Sequence, residues 1–298
     1  MNKKVLLFAN TDWYLFNFRL ALAERLRNEG WDVVLVSPPG EHGNKLHALG
    51  FRWISLPFSI RSTNPLHELN LIYRLLKLYR LERPDLVHHF TIKCVLYGTI
   101  AAKLAGGVKI ANAVTGLGHV FTDPGLKARL TRPFVRQLYR MALSGENVRV
   151  IYQNNDDRDT FVEWGLVDEG RARVIRGSGV DLNTFKGGAK CETRSATIKI
   201  LFASRLLREK GVFELVEAFS VIHAKYPQTE LLIAGDLYLE NPSSLTAQDI
   251  EKLEEKIGVS FLGHVDDVQS LLGECDIIVL PSYREAVSYT HLTLPTTG

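Results

Sequence analysis

The opening of the chain constrains the fold most, because it places a helix between two strands. Residues 4–9 (KVLLFA) form an apolar run of strand length. Residues 16–28 carry apolar side chains at helical spacing and stop before Gly30, and residues 32–36 (DVVLV) form a second apolar run. Strand, helix and strand in this order predict parallel pairing in a doubly wound α/β sheet.

The same alternation continues along the chain, with one polar interruption at residues 186–197, which are rich in Gly, Lys, Ser and Thr and predict a linker. We therefore expect a first domain over 1–185 and a second over 198–286. Further strands are predicted at 85–90, 108–114, 147–152, 198–203, 230–234, 259–262 and 275–280. Further helices are predicted at 65–83, 97–104, 126–143, 154–164, 212–226, 246–256 and 265–272.

Composition excludes several classes of protein. The chain has 298 residues, of which 46% are hydrophobic and 23% charged, as in ordinary globular proteins. It shows neither an apolar run of membrane-spanning length nor a secretory signal. Cys94, Cys191 and Cys275 lie far apart, which fits a reducing compartment and argues against a cysteine metal site. These features predict a cytoplasmic protein, free or peripheral on a membrane.

Charge is distributed unevenly along the chain. Residues 191–298 hold 9 Lys/Arg and 16 Asp/Glu, a net charge of −7, while the preceding residues hold 27 and 17, a net charge of +10. A basic first half favours an anionic partner, and without a nucleic-acid-binding motif a membrane surface or a phosphorylated acceptor fits better. The helix predicted at 126–143 is basic and amphipathic, so it can lie on an anionic membrane or simply be a solvated face. We expect Pro133 to bend or interrupt it.

The segment SRLLREKG at residues 204–211 joins a predicted strand to a predicted helix. Free N–H groups at a helix start favour an anion, and Arg205 and Lys210 add the cations that phosphate requires. Such a corner can hold a diphosphate, although a solvated connection is the alternative. The last predicted strand ends in PSYRE, so Glu285 follows the carboxyl end of a strand, where ligands of open α/β sheets bind.

These paired motifs resemble the donor half of the family 4 retaining glycosyltransferases, and the resemblance covers nearly the whole chain. It implies the GT-B fold, with two Rossmann-like domains facing a cleft. The N-terminal pattern NTDW…FNFRLALA resembles the acceptor domain of the same family. The segments HFTIK and TGLGHVF are similar to those of members that extend sugars on polyprenyl diphosphate, closest to the undecaprenyl-diphosphate N-acetylgalactosaminyltransferase type.

The resemblance implies transfer of a sugar from a UDP-sugar to a lipid-linked glycan, with retention. The expected donor is a UDP-N-acetylhexosamine, and neither a metal nor another cofactor is expected. The expected location is the inner face of the cytoplasmic membrane, with an anionic membrane surface as a partner and no nucleic acid. A nucleotide-sugar epimerase of the same fold is the alternative, because fold alone does not determine function.

The resemblance also implies roles for individual residues. The expected donor-binding residues are Arg205, Lys210, Gly235, His264, Val265 and Glu285. The expected acceptor-binding residues are Arg19, at the first turn of its helix, Lys93, Gly116 and Gly118. Glu285 and His119 are the expected catalytic residues. For Arg19 and Lys93 the alternative is an ordinary surface side chain, and for His119 it is a structural hydrogen bond.

Two other motifs favour structural roles. His88 and His89 are adjacent on a predicted strand, so they point to opposite faces and are poorly placed to share a metal. The sequence Asp157-Arg158-Asp159 matches a short metal–nucleotide motif of another fold, but acidic residues at a helix start complement the helix dipole.

The end of the chain departs from the family pattern. Glu285 is followed by Ala286, and the family's second acidic position falls on Thr293. Residues 287–298 resemble no part of the family. We therefore expect the chain as it stands to be catalytically inactive, at most a module that binds lipid or acceptor, with an exposed apolar edge at 275–280.

Overall fold

A computed structural model describes residues 3–60, 62, 64–116, 121, 125–179, 196–238, 241 and 243–283. The chain divides into two compact units, Met1–Gly179 (unit 1) and Val180–Gly298 (unit 2). The predicted linker, apart from its last two residues, and the tail 287–298 lie outside the described residues, so the expectations about them stay predictions.

Unit 1 contains a seven-stranded parallel sheet in the order β3-β2-β1-β4-β5-β6-β7. Its register places Phe8 opposite Val36 on one side and His89 on the other. The strands are β1 Lys4–Phe8, β2 Asp32–Ser37, β3 Arg52–Ser55, β4 Leu86–Phe90, β5 Lys109–Val114, β6 Val148–Tyr152 and β7 Ala172–Val174. The sequence did not predict β3 or β7, which are short edge strands.

Helices cover both faces of this sheet. Side chains of α1 and α2 pack on the face formed by Val5 and Leu7, and those of α3 to α6 pack on the face formed by Leu6 and Phe8. The helices are α1 Asp12–Asn28, α2 Gly43–Ala48, α3 Pro65–Glu82, α4 Ile92–Ala105, α5 Leu126–Leu143 and α6 Asn155–Glu163, and Glu169–Arg171 forms a single 3-10 turn. The predicted doubly wound α/β architecture is confirmed.

Unit 2 repeats the arrangement in a smaller sheet, in the order β10-β9-β8-β11. Its strands are β8 Ile198–Ala203, β9 Thr229–Ala234, β10 Val259–Gly263 and β11 Ile277–Ile278. The helices α7 Val212–Lys225 and α8 Ala247–Glu254 pack on one face, and α9 Val268–Glu274 packs on the other. In both units the strand order therefore reverses at one point, between β1 and β4 and between β8 and β11. Such switch points are where open α/β sheets bind ligands.

Three predicted helix starts were wrong, and local capping explains two of them. Thr11 accepts a hydrogen bond from Tyr14 N at 3.0 Å, so α1 begins at Asp12 rather than at residue 16. Asp267 accepts one from Ser270 N at 2.9 Å and starts α9 at Val268 rather than at residue 265. The helix predicted at 97–104 begins at Ile92, directly after β4.

Two further expectations also fail in part. Pro133 does not interrupt α5, which runs from Leu126 to Leu143. Pro133 is exposed, so the carbonyl that loses its helical partner can be hydrated. The strand predicted at 275–280 pairs with β8 only over Ile277–Ile278. As expected, this edge is open in the described part of unit 2, where Ile277 is 47% exposed.

Candidate functional site

The segment 204–211 forms a tight corner after β8. Leu206 and Leu207 are buried, which turns the charged residues on either side of them outward. The backbone is held by hydrogen bonds from Leu206 N to Asp236 O at 3.1 Å and from Arg208 N to Ser243 O at 2.8 Å. A 3-10 turn over Arg208–Lys210 then leads to Gly211, whose φ of 72° favours glycine.

The two arginines of the corner have different surroundings. Arg208 donates to Asp249 at 3.1 Å and lies over the Phe213 ring. Arg205 is exposed and lies 5.4 Å from the centroid of the Tyr238 ring, and it has no carboxylate partner in the described part of the chain. Of the two, Arg205 is therefore the one whose guanidinium can still take a phosphate.

The corner meets the end of β11, as the order of the motifs predicts. A Cβ on Gly211 would stand 2.3 Å from Pro281 O, so only glycine allows this approach. Tyr283 N donates to Glu209 O at 3.0 Å. These contacts tie the two motifs together at the β8/β11 switch point. Glu285 lies outside the described residues, two positions beyond Tyr283.

The Tyr283 side chain adds a contact that the sequence analysis missed. Its hydroxyl donates to Glu214 Oε1 at 2.5 Å, from the end of β11 to the first turn of α7. This hydrogen bond lowers the pKa of Glu214 and raises the pKa of Tyr283. The sequence held no signal for the pair, because 69 positions separate the two residues.

The other predicted donor residues lie at the same edge of this sheet. Gly235 follows β9 with a φ of 149°, and a Cβ there would stand 1.8 Å from Ser204 O. His264, just after β10, lies between Asp236 and Asp266, with N···O distances of 3.2 and 3.3 Å. Val265 packs against the buried cluster of Leu201, Leu232 and Ala234. The structure thus gathers these residues at one edge, and their binding of a donor stays a prediction.

Arg19 does not occupy the predicted position in unit 1. It lies seven residues into α1 rather than in the first turn, and it is only 8% exposed. Its guanidinium carbon stands 4.4 Å from the centroid of the Phe90 ring, and Nη2 donates to Tyr14 Oη at 2.6 Å. It is therefore not an ordinary surface arginine.

Lys93 is held by the protein rather than exposed. Its ammonium donates to Glu68 Oε1 at 2.7 Å and to the carbonyls of Ser59 and Ser62. An ammonium has three N–H donors, and these three acceptors use all of them. Lys93 therefore joins α4 to the start of α3 and to the loop after β3, which leaves it poorly placed for a phosphate.

The adjacent histidines point to opposite faces of the sheet, as predicted. His89 Nδ1 donates to Asn112 Oδ1 at 2.9 Å, its Nε2 accepts from Tyr79 Oη at 3.0 Å, and burial lowers its pKa to about 4. His88 packs on Phe90 on the other face. Burial, and after it the charges of Arg19 and His89, lower the pKa of His88 to about 3.

The glycine loop after β5 is described only in part. Gly116 has a φ of 135° and open space around it. Gly118 and His119 lie outside the described residues, so their predicted roles stay predictions. The motif at Asp157 is structural, because Asp157 is buried and accepts from Asn154 Nδ2 at 3.1 Å at the start of α6. Within the described ranges no three His, Cys, Asp or Glu side chains are grouped to hold a metal ion.

No helix among the described residues is long and apolar enough to cross a membrane. Three apolar side chains nonetheless form an exposed stripe along α5, where Leu130, Phe134 and Met141 are exposed by 73%, 68% and 55%. Arg129 and Arg140 border this stripe and are exposed. Arg136 instead stacks on the Trp164 ring at 4.1 Å.

Sequence comparisons match both units. The family described as "Glycosyl transferase 4-like" matches residues 4–155, and "Glycosyl transferases group 1" matches residues 189–292. The chain is 29% identical over 281 residues to the N,N'-diacetylbacillosaminyl-diphospho-undecaprenol alpha-1,3-N-acetylgalactosaminyltransferase of Campylobacter jejuni, covering 91% of this chain and 72% of that protein. It is 26% identical over 287 residues to the UDP-Gal:alpha-D-GlcNAc-diphosphoundecaprenol alpha-1,3-galactosyltransferase of Escherichia coli, covering 92% and 72%.

Comparison with solved structures leads to the same family of folds. A glycosyltransferase from Rickettsia africae superposes with a TM-score of 0.72 at 20% identity, covering 96% of this chain and 74% of that one. The predicted fold and the resemblance to family 4 are confirmed. The chain belongs to the glycosyl transferase 4-like family and is a glycosyltransferase.

Proposed function

We propose that this glycosyltransferase moves an N-acetylhexosamine from a UDP-sugar to a sugar carried on undecaprenyl diphosphate, with retention at the anomeric carbon. The observation that carries the proposal is the cationic corner at the β8/β11 switch point, where Arg205 has no carboxylate partner among the described residues. The two relatives support the acceptor, because both names contain an undecaprenol diphosphate. Their sugars differ, so the carrier is better supported than the sugar.

In the proposed reaction cationic side chains of the chain stabilise the leaving group. Negative charge develops on the leaving UDP as the bond from the anomeric carbon to the diphosphate oxygen breaks and the acceptor hydroxyl oxygen bonds to that carbon. Arg205 and Lys210 stabilise that charge, and preorganised charge of this kind is often the largest catalytic contribution. Glu285 binds or orients the donor sugar. The proposal needs neither a metal nor another cofactor, so transfer should continue in EDTA.

The test is a transfer assay with UDP-sugars and a short-chain polyprenyl-diphosphate sugar. It uses the chain as it stands and a version in which residues 286–298 are replaced by a family-like ending. We expect transfer by the second protein, and the inactivity of the first stays a prediction. The Arg205→Ala, Lys210→Ala double variant should lower kcat by about 100-fold or more.

Arg208→Ala is the matched control, because Arg208 belongs to the same corner but is paired with Asp249. It should leave kcat within a few-fold of the parent's. Normal turnover by the double variant would contradict the assignment of Arg205 and Lys210. Epimerisation of free UDP-sugar without transfer would favour the epimerase.

We also propose that unit 1 lies on the inner face of the cytoplasmic membrane. The support is the apolar stripe of α5, bordered by Arg129 and Arg140. A helix with this pattern lies in the interface of an anionic bilayer. The proposed partners are thus a nucleotide-sugar, a lipid-linked glycan and an anionic membrane surface, and not nucleic acid.

A further inference from the structure

Two buried nitrogens near the end of β4, Arg19 Nε and His88 Nε2, have no hydrogen-bond partner among the described residues. Buried polar groups in folded proteins are nearly always paired, so each such atom calls for an explanation. Two of them on neighbouring basic side chains near one strand end point to a missing ligand.

Two basic side chains, those of Arg19 and His88, contact the aromatic ring of Phe90. The guanidinium carbon of Arg19 stands 4.4 Å from the centroid of the Phe90 ring, and the His88 ring centroid stands 4.2 Å from it. Arg19 comes from α1 and His88 from β4, three positions before Thr91. Two separate elements thus bring a cation and an imidazole together.

The positive charge of Arg19 is not balanced by the described part of the chain. The residue is 8% exposed. Among the described residues its guanidinium makes one hydrogen bond, to the neutral hydroxyl of Tyr14, and no carboxylate of these residues lies within ion-pair distance. Elsewhere in unit 1 such ions are paired, as Glu82 is with Arg52 at 2.6 Å and Lys93 with Glu68 at 2.7 Å. An unpaired buried charge is costly, and stacking on Phe90 offsets only part of that cost. An anion would remove this imbalance.

The backbone after β4 is strained at the same point. Thr91 has φ 70° and ψ 156°, a region that is essentially restricted to glycine. The chain leaves β1 toward one face of the sheet and leaves β4 toward the other, so this is the switch point of unit 1. Strain that persists beside a switch point is typical of ligand sites.

We propose that Arg19 and His88 form an anion site in unit 1 that binds a phosphate or diphosphate group. The free N–H groups of the guanidinium donate to one phosphoryl group, and His88 Nε2–H donates to another of its oxygens. That the diphosphate is the one of the lipid-linked acceptor rests on the proposed function. The site itself rests only on the unpaired groups at the end of β4.

The first experiment titrates the full chain with inorganic diphosphate by calorimetry and follows the His88 ring by NMR. We expect binding and a shift of the His88 signals. Arg19→Met should weaken binding about tenfold or more, the effect of losing hydrogen bonds to a charged group. Arg25→Met is the matched control, because Arg25 lies on the same helix, is exposed and pairs with Glu29. It should bind as the parent does.

Thermal unfolding separates a binding role from a structural one. If Arg19 serves a ligand, Arg19→Met removes an unbalanced buried charge and keeps or raises the Tm of the ligand-free chain. A lower Tm together with unchanged diphosphate binding would overturn the proposal. So would the absence of any diphosphate binding by the parent chain.

Two further ligands identify the source of the diphosphate. Arg19→Met should weaken binding of a short-chain polyprenyl diphosphate and leave binding of UDP unchanged. Weaker binding of UDP alone would overturn the acceptor assignment. If the transfer assay fails while inorganic diphosphate still binds through Arg19 and His88, the anion site stands and the proposed reaction does not.

Discussion

Gly235 shows how strongly a single position can be constrained at the edge of unit 2. Its φ is 149°, and a Cβ would stand 1.8 Å from Ser204 O. Gly263, one strand away, has a φ of 65° and nothing within 4 Å of where a Cβ would lie. A substitution at Gly235 would therefore cause both backbone strain and a steric clash, whereas one at Gly263 would cause backbone strain alone.

We expect Gly235→Ala to destabilise unit 2 by about 3 kcal/mol or more, because strain and overpacking add. Gly263→Ala should cost only about 1 kcal/mol. Hydrogen exchange of the β9 and β10 amides measures both effects within unit 2. Equal losses of protection in the two variants would show that the clash with Ser204 is relieved by a small shift of the corner.

At the scale of elements, a buried polar network joins two helices to two strands of unit 1. Tyr79 of α3 and Asn112 of β5 bond to the two ring nitrogens of His89, and Thr99 of α4 donates to Asn112 Oδ1 at 3.0 Å. A Cβ on Gly98 would stand 2.7 Å from the His89 ring. The network is arranged around a neutral imidazole, so protonation of His89 works against it.

This arrangement predicts loss of stability in acid. Burial lowers the pKa of His89 from 6.5 to about 4, although the hydrogen bond to Asn112 acts in the opposite direction. Between these values the unfolded chain binds a proton that the folded chain excludes. Stability should therefore fall as pH falls, by about 1.4 kcal/mol per pH unit for this group. Denaturant unfolding at a series of pH values measures the slope.

His89→Gln tests the origin of that slope. In the variant the slope of the free energy of unfolding against pH should be smaller by the contribution of about one proton, whatever the stability near neutral pH. His88, with its pKa of about 3, adds to the slope in both proteins. His47→Gln, at an exposed position, should keep the full slope. An unchanged slope in His89→Gln would mean that other groups cause the acid sensitivity.

At the scale of the whole molecule, the uneven charge and the apolar stripe of α5 predict membrane binding. We expect the chain to bind anionic liposomes and to release them as salt rises above about 0.1 M, because screening shortens the electrostatic reach. Leu130→Gln with Phe134→Gln should weaken binding further, since both side chains are exposed on the stripe. Cosedimentation with liposomes measures both effects.

The controls for membrane binding come from the structure. Val221→Gln changes a side chain on α7 that is 74% exposed, close to the value for Leu130, and should leave binding unchanged. Arg129 is the better position for a charge-reversal variant than Arg136, because Arg136 stacks on Trp164 and its substitution would disturb the fold. Binding that is indifferent to Arg129→Glu and to salt would contradict the proposal.

Local patterns in the sequence were sufficient for the architecture and for the position of the corner at 204–211. Apolar runs and helical spacing depend on neighbours a few positions apart, so β8 and α5 lie where the sequence predicts them. The corner at 204–211 also follows from local order, because a strand that leads into a helix places its loop at the carboxyl edge of a parallel sheet. Capping shifted the starts of α1 and α9, which shows that helix ends depend on single side chains.

Only the tertiary structure decided which charges are still available for a ligand. Lys93 and Arg19 are both basic residues of the first half, yet Lys93 is satisfied by Glu68 and two carbonyls, whereas Arg19 is buried against Phe90 and pairs with no acid in the described part of the chain. Likewise, the pairing of Tyr283 with Glu214 joins residues 69 positions apart. Whether a charge is paired depends on contacts between distant parts of the chain, and the free energy of burying it follows from those contacts.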